Sequence, residues 1–256
     1  MFGVIQNPQG EALDYSFAPG IKGARTLVVI GHGVTANKDR EWALTLSQAL
    51  MEAGFASLRF SFSGNGNSEG SFEESCPSKG AGDLRAILDA VHDCSVIYVG
   101  HSMGAAVGVM VAAEDERLQG LVSLAGMVHT AEFSRRKFGE LTPGKDCMWG
   151  KPECPLSQIF LDDMVQLKSL QDTATSIHIP WLLIHGDVDS VVHLEESVAL
   201  EANHRGTREL ITLRGADHIF SDAAAGQMAQ HVVNWLQKNF SSPQLPFDDI
   251  MRGPKT

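Results

Sequence analysis

The chain has 256 residues, 43% of them hydrophobic and 20% charged, and its formal net charge at pH 7 is −11. A chain of this length and hydrophobic content can bury one large core without a second domain. Because phosphate binding needs a basic face, the acidic balance argues against a nucleic-acid partner and disfavours an anionic membrane surface.

The N-terminal residues and the cysteines bear on the compartment. The chain opens without a basic segment followed by an apolar one, so we expect no secretory signal. Since no apolar run approaches the ~18–20 residues of a membrane span, we expect no stable membrane association and, by default, a cytoplasmic location. Cys76, Cys94, Cys147 and Cys154 lack zinc-ligand spacing. We expect free thiols, although Cys147 and Cys154 are close enough in sequence to form a bridge.

Apolar, β-branched runs alternate with helical patterns along the chain, which predicts βαβ units. Two weak strands, 4–5 and 13–17, are expected to form an antiparallel edge. The stronger predicted strands are 26–31, 55–60, 95–100, 118–126, 180–186 and 208–215. The predicted helices are 41–53, 77–92, 103–114, 194–202 and 223–239. Several strands are apolar throughout, as in a parallel sheet buried on both faces, so we predict an α/β fold with a mostly parallel eight-stranded sheet flanked by helices.

Residues 127–179 break this rhythm, because they contain no clean strand pattern. A stretch of this length outside a sheet is usually functional or mobile. We predict an insertion after the sixth strand, with one or two short helices, that lies as a lid over the C-terminal edge of the sheet. Residues 1–240 then form a single domain, and residues 241–256, which carry three prolines, form a surface tail.

The stretch "GHSMG", Gly100 to Gly104, joins a predicted strand to a predicted helix. In a G-x-S-x-G turn the serine sits at a sharp strand-to-helix corner with its hydroxyl clear of the sheet, and only small residues fit two positions before and after it. This context predicts Ser102 as a nucleophile. The alternative is a glycine-flanked turn with an idle serine.

A serine hydroxyl needs a base, and the base in turn needs an orienting carboxylate. His218, in "GADH", follows the last predicted strand, at the edge where ligands bind in such sheets. Asp189 and Asp187 both follow the strand 180–186, and we choose Asp189 because Asp187 more plausibly supports the turn. His101 faces the wrong way to take the Ser102 proton. His32 and His185 each precede a glycine at a strand end and are expected to brace loops. The remaining histidines are expected to be surface or partly buried bystanders, namely His92, His129, His178, His193, His204 and His231.

The negative charge that develops on a tetrahedral intermediate needs two backbone N–H groups. Met103, directly after the nucleophile, supplies one of them at the start of its helix. The loop after strand 26–31 reads "GHGVTANK" and predicts Val34 as the second donor, because Gly31 and Gly33 let the backbone turn inward.

Four motifs, "HGVTANK", "FSGNGNSEG", "GHSMG" and "HGDVD…GADH", occur in the order found in the α/β-hydrolase superfamily, which the chain resembles over nearly its whole length. "HGVTANKDR", "GNSEGSF" and "FLDDMVQL" look most like small bacterial carboxylesterases of the feruloyl or cinnamoyl esterase type, and "GHSMG" also occurs in monoacylglycerol lipases. The resemblance implies the fold, the Ser102–Asp189–His218 triad and a lid over the acyl or aryl group. The strand-end Asp that is usual before the second motif is Ser61 here.

Apolar residues of the insertion are expected to line the substrate pocket or to pack the insertion onto the body, namely Phe133, Phe138, Met148, Trp149, Phe160 and Met164. Asp162 and Asp163 either bind a phenolic hydroxyl or carry exposed helix charge. From these and the loop after strand 26–31 we select His32, Trp149, Phe160 and Asp163 as candidate substrate contacts.

The motifs predict hydrolysis of a small-molecule carboxylic ester with a short to medium or aromatic acyl group, through an acyl-enzyme on Ser102. No metal or organic cofactor is required, and a homodimer is compatible with the sequence. Because His218 has to be neutral to accept a proton, we expect activity to fall below about pH 6–7. The alternatives are a thioesterase, peptidase, lactonase, monoacylglycerol lipase or acyltransferase on the same triad, or a non-catalytic binding protein.

Overall fold

The computed structural model describes residues 2–21, 25–91, 94–202 and 207–240. The strands are β1 (Tyr15–Ala18), β2 (Thr26–Gly31), β3 (Ala56–Phe60), β4 (Ser95–His101), β5 (Leu118–Leu124), β6 (Trp181–Gly186) and β7 (Arg208–Leu213). The α-helices are α1 (Glu41–Glu52), α2 (Pro77–Ala90), α3 (Met103–Ala112), α4 (Thr130–Phe138), α5 (Gln158–Leu167), α6 (Gln171–Ala174), α7 (Leu194–Ala202) and α8 (Ala223–Phe240). Two single 3₁₀ turns lie at Phe72–Glu74 and Met148–Gly150.

The described strands form one sheet in the order β1-β3-β2-β4-β5-β6-β7. β1 pairs antiparallel with β3, and every other neighbouring pair is parallel. The α/β fold and the mostly parallel sheet are therefore as predicted. The parallel strands end at one edge of the sheet, which is where the turns that follow β2, β4, β6 and β7 come together.

The predicted count of eight strands is wrong for the described residues, which contain seven. Residues 4–5 form no strand, and a single antiparallel bridge joins Gln6 to Ala12. The physical reason is a tight turn: the Asn7 side chain accepts hydrogen bonds from the N–H groups of Gln9 and Glu11, which leaves no length for a ladder. The edge strand predicted at 13–17 begins two residues later, at Tyr15.

Helices cover both faces of the sheet, which explains why the strands are apolar throughout. α1 and α8 pack together on one face, over a cluster that includes Val28, Ile97 and Ile184. α2, α3 and the segment between β5 and β6 pack on the other face, over a cluster that includes Val29 and Tyr98.

Residues 127–179, which we call the insertion, contain α4, α5 and α6, one helix more than predicted. α4 packs against α5, α5 against α2, and α6 against α3. The insertion's core is apolar, because Phe133, Phe138 and Phe160 are each 1% exposed. It is therefore a packed part of the domain in this structure.

Some predictions fall outside the described residues, namely the end of the helix predicted to reach His92, the surface tail 241–256 and His204. All four cysteines are free, as expected. Within the described part of the chain, no helix combines the length and the apolar character that crossing a bilayer requires.

Candidate active site

Ser102 lies at the corner between β4 and α3, with φ 52° and ψ −114°. A non-glycine residue in this region is strained, and such strain persists where the surrounding structure enforces it. The flanking glycines are required by close packing: a Cβ on Gly100 would lie 2.3 Å from the Gly104 carbonyl oxygen, and a Cβ on Gly104 would lie 2.5 Å from the His32 carbonyl oxygen. The turn has the geometry that the "GHSMG" motif predicts.

His218 follows β7 and is held by a carboxylate. Its Nδ1 lies 2.7 Å from Asp189 Oδ2. Asp187, the alternative acid, accepts the N–H of Gly215 at 2.5 Å instead and supports that turn. Since Nδ1 donates to Asp189, Nε2 of His218 is left as the proton acceptor. His218 and Ser102 line the same cavity.

The Asp189 carboxylate is almost fully buried and stays ionised. Burial acts to raise its pKa, but hydrogen bonds from His185 and His218 and from the backbone N–H of Val191 outweigh burial and hold the pKa below the usual range of an aspartate. An ionised carboxylate fixes the His218 tautomer and stabilises the imidazolium that forms when His218 accepts a proton.

Val34 and Met103, the two predicted oxyanion donors, come from different elements of the fold. Val34 lines the cavity in the loop after β2, and Met103 is the first residue of α3. Among the hydrogen bonds of the described residues, neither backbone N–H has an acceptor. The helix start adds partial positive charge beside Ser102.

Ser61 takes part in supporting the loop that carries Val34. Its Oγ accepts the backbone N–H of Lys38 at 3.2 Å, and its carbonyl oxygen accepts the Ser68 hydroxyl at 2.7 Å. A serine therefore provides a hydrogen bond to this loop at the strand-end position where the resemblance leads one to expect an aspartate.

A cavity of about 470 Å³ opens at Ser102. This volume is in the range of ligand-binding pockets. Five of the seven non-glycine residues with positive φ in the described chain line it, namely Thr35, Ser102, Trp149, Phe220 and Asp222. Strained backbone collects at functional sites, so this clustering points to the cavity independently of the motifs. Its other lining residues are Gly33, Val34, Ala36, Arg40, Glu41, Trp42, His101, Phe133, Lys151, Val191, His218, Ile219 and Ser221.

The structure brings only one of the four candidate substrate contacts to the cavity. Trp149 lines it and packs edge-on against Phe138. Phe160 is buried in the insertion core, and Asp163 accepts the backbone N–H of Ser78 at the start of α2. The structure therefore places Phe160 and Asp163 away from the cavity that they were selected to line.

His32 is also placed away from the cavity and acts as a loop brace, the alternative reading. It is 1% exposed, its Nδ1 lies 2.8 Å from the Gly33 carbonyl oxygen, and its Nε2 accepts the Phe62 N–H. Burial lowers the pKa of His32 to about 4. The ring is therefore neutral at physiological pH.

The other insertion residues divide in the same way. Phe133 lines the cavity, whereas Phe138, Met148 and Met164 are buried in the insertion core. Asp162 accepts a hydrogen bond from Gln158 on the surface of α5.

Several cavity residues were missed from the sequence. Ile219 and Phe220 directly follow the predicted base, so their place in the chain was a usable signal. Val191 lies two residues after the predicted acid, in the same loop. Arg40 lies at the end of the loop after β2 and carried no signal of its own.

The comparison with known families agrees with this geometry. Residues 26–145, a little under half of the chain, match a family model described as alpha/beta hydrolase fold. Est1E from Butyrivibrio proteoclasticus, solved with ferulic acid bound, superposes with a TM-score of 0.81 at 21% identity, over 93% of this chain and 99% of that one. This protein has the α/β-hydrolase fold. The fold that the resemblance implies is thus confirmed.

Other proteins to which this chain is similar carry names of ester or thioester hydrolases. The mitochondrial palmitoyl-protein thioesterase ABHD10 of Bos taurus is 24% identical over 235 residues, which are 87% of this chain and 76% of the relative. A monoacylglycerol lipase from Paleococcus ferrophilus superposes with a TM-score of 0.74 at 20% identity, over 89% of this chain and 99% of that one. At these identities the structural likenesses show the fold alone.

Proposed function

We propose that this protein is a serine hydrolase that cleaves carboxylic esters with a short to medium or aromatic acyl group. The observation that carries the proposal is that Ser102, on a strained strand-to-helix corner, shares a cavity with His218, whose Nδ1 is held 2.7 Å from Asp189. Nucleophile, orienting acid and base then follow one another in the chain order of α/β-hydrolases, Ser102, Asp189 and His218.

Three groups can take part in the proposed reaction with Ser102: His218 Nε2 as a proton acceptor, and the backbone N–H groups of Val34 and Met103 as donors. His218 Nε2 removes the Ser102 proton as the hydroxyl oxygen attacks the ester carbonyl, and the N–H groups of Val34 and Met103 hold the oxyanion. His218 then protonates the leaving alcohol, and an acyl-enzyme on Ser102 remains. Water activated by His218 releases the acid and restores the serine.

The walls of the cavity support an acyl group that is at least partly apolar. Trp149 and Phe133 come from the insertion, and Val191 and Ile219 come from the loops that carry Asp189 and His218. In this proposal the insertion serves as a lid whose aromatic side chains contact the acyl group. Est1E, solved with ferulic acid bound, supports an aromatic acyl group as one substrate class.

A thioester is the second candidate substrate, favoured by the bovine relative named as a palmitoyl-protein thioesterase. The same nucleophile and oxyanion donors serve both reactions, since only the leaving atom differs. The cytoplasmic location stays an expectation from the sequence, and the relative's name places that protein in mitochondria.

The test is hydrolysis of p-nitrophenyl esters from acetyl to dodecanoyl, a feruloyl ester and matched acyl thioesters. Ser102→Ala is measured beside the parent, with Ser176→Ala, at an exposed position away from the cavity, as the matched control. We expect the parent and Ser176→Ala to hydrolyse some esters, and Ser102→Ala to be slower by about 10⁴-fold or more. A parent no faster than Ser102→Ala on every ester would refute the esterase proposal. Cleavage of thioesters alone would select the second candidate.

A further inference from the structure

A second histidine contacts the carboxylate that holds His218. His185 lies on β6, and its Nε2 is 3.2 Å from Asp189 Oδ2, the same oxygen that receives His218 Nδ1 at 2.7 Å. The side chains of His185 and Asp189 are both 0% exposed. His185 does not line the cavity, so it reaches the reaction only through Asp189.

The partners of the His185 ring define its tautomer. Nε2 also lies 2.9 Å from the Val192 carbonyl oxygen, so it faces two groups that can only accept and must carry the proton. Nδ1 lies 2.7 Å from the Ser197 hydroxyl on α7, which donates to it. A buried chain of donors therefore runs from Ser197 through His185 to Asp189 and meets His218 at the same oxygen.

Four N–H groups contact the carboxylate of Asp189. Oδ1 accepts the backbone N–H groups of Val191 at 2.8 Å and Val192 at 2.9 Å, while Oδ2 takes the two histidines. His185 supports this arrangement through two contacts, one with Asp189 Oδ2 and one with the carbonyl oxygen of Val192. The N–H of the same Val192 donates to the other carboxylate oxygen, Oδ1. The ring thus ties the acid to its own loop.

We propose that His185 is a positioning residue of the hydrolase site, which through Asp189 sets the orientation and the acceptor strength of the carboxylate that His218 requires, with Ser197 holding the His185 ring. This inference rests on the proposed function. Without the donor on His185, Oδ2 keeps more of its negative charge for His218 and can rotate away from the optimal direction. The first effect stabilises the imidazolium, and the second misaligns the base.

Other charged or titratable groups also lie near this carboxylate, and they stay the same in every variant below. Two come from α4 and bind the loop of Asp189: Arg136 donates to the Val191 carbonyl at 2.9 Å, and Lys137 donates to the Ser190 carbonyl at 2.8 Å. The others are His101 on β4 and Asp217 beside the base, both of which interact electrostatically with Asp189. A difference between variants at position 185 therefore reports on His185.

The experiment compares His185→Leu, which removes the donor, with His185→Gln, which keeps an N–H donor at the Nε2 position. kcat and KM for p-nitrophenyl butyrate are measured from pH 5 to 9. We expect His185→Leu to lower kcat by about 10- to 100-fold, because small misplacements of catalytic groups have effects of this size. KM should change little, and the acid limb of the kcat profile should move to higher pH. His185→Gln is expected to recover most of the kcat and the parent's acid limb.

A readout without substrate separates this inference from the proposed function. The downfield proton signal of the His218 Nδ1–H, assigned by its loss in His218→Gln, is recorded by NMR in the resting protein. We expect the signal to move in His185→Leu and to return towards its parent position in His185→Gln. If the parent hydrolyses no ester, the proposed function fails and this signal alone decides the positioning role.

Ser197→Ala provides a second variant in case His185→Leu does not fold. It leaves the His185 ring in place but removes the hydroxyl that holds Nδ1, so we expect a several-fold loss of kcat in a folded protein and a smaller move of the same NMR signal. Folded His185→Leu or Ser197→Ala with the parent's kcat, acid limb and His218 signal would overturn the proposal. Equal loss in His185→Leu and His185→Gln would do so too, because the donor would then not matter.

Discussion

His101 Nε2 lies 2.8 Å from the backbone carbonyl oxygen of His218. A carbonyl can only accept, so Nε2 of His101 donates, and the residue before Ser102 is tied to His218. The His101 ring also packs against the His218 ring, with 4.8 Å between centroids, and against Trp42 at 5.1 Å. The prediction that His101 cannot take the Ser102 proton agrees with this placement, and the contact links the turns that follow β4 and β7.

The first prediction concerns stability in acid. Burial lowers the pKa of His101 to about 3 and that of His32 to about 4, whereas both rings titrate near 6.5 in the unfolded chain. Between these values the unfolded chain binds more protons than the folded one, so the free energy of unfolding falls as the pH is lowered through 6.5. Each histidine accounts for a loss of about 2 kcal/mol between pH 7 and pH 5.

Urea denaturation at pH 7 and pH 5 measures this loss. His101→Gln removes one of the two groups, so its loss of stability between the two pH values should be smaller than the parent's by about 2 kcal/mol. His178→Gln, at an exposed position, is the control. A His101→Gln protein with the same pH dependence as the parent would show that His101 is not held neutral by burial.

The second prediction distinguishes the two acids after β6. Asp189→Asn should lower kcat/KM by about 10⁴-fold, because an amide cannot hold His218 in the tautomer that leaves Nε2 free. Asp187→Asn should leave kcat/KM close to the parent value and cost about 0.5–2 kcal/mol of stability through its hydrogen bond to Gly215. Steady-state kinetics and urea denaturation of both variants test the assignment. The reverse pattern would make Asp187 the acid.

The third prediction concerns Asp163, which binds the Ser78 N–H in the first turn of α2. Asp163→Ala should lower the free energy of unfolding by about 0.5–2 kcal/mol, as loss of a helix cap does. It should leave kcat/KM unchanged for phenolic and aliphatic esters alike, because the carboxylate lies outside the cavity. A loss confined to feruloyl esters would restore Asp163 as a substrate contact.

The fourth prediction contrasts two aromatic residues of the insertion. Trp149 lines the cavity and is 43% exposed, whereas Phe160 is 1% exposed in the insertion core. Trp149→Ala should raise KM several-fold for aromatic or longer acyl groups with little loss of stability. Phe160→Ala should cost about 3–5 kcal/mol of stability, as other Phe→Ala changes in cores do. Thermal unfolding and kinetics across the ester series measure both, and equal changes in KM would contradict the contrast.

Much of the fold, and the placement of the three residues of the proposed triad, could be predicted from local signals in the sequence. The "GHSMG" corner and the glycines at strand ends are short-range features, and parallel strands bring Asp189 and His218 to the same edge as Ser102. The lining of the cavity depends on how the insertion packs onto the rest of the domain, and the hydrophobic periodicity of the sequence does not predict that packing. Phe160 and Trp149 look alike in sequence, yet tertiary packing buries one and leaves the other at the cavity.

The roles of the buried histidines were beyond sequence reasoning for a similar reason. His32 and His185 each precede a glycine at a strand end, and both were assigned to loop support. The structure gives His32 two backbone partners, whereas His185 contacts Asp189. Which partner a strand-end histidine finds depends on the neighbouring loop, so identical local patterns led to different environments.

The most direct test of the central claim, that Ser102 is a nucleophile activated by His218, is covalent labelling with a fluorophosphonate followed by mass spectrometry of the peptides. We expect one label per chain on the peptide that contains Ser102, with labelling abolished in Ser102→Ala and strongly slowed in folded His218→Ala. A parent protein that takes no label, or takes it on another residue, would contradict the claim.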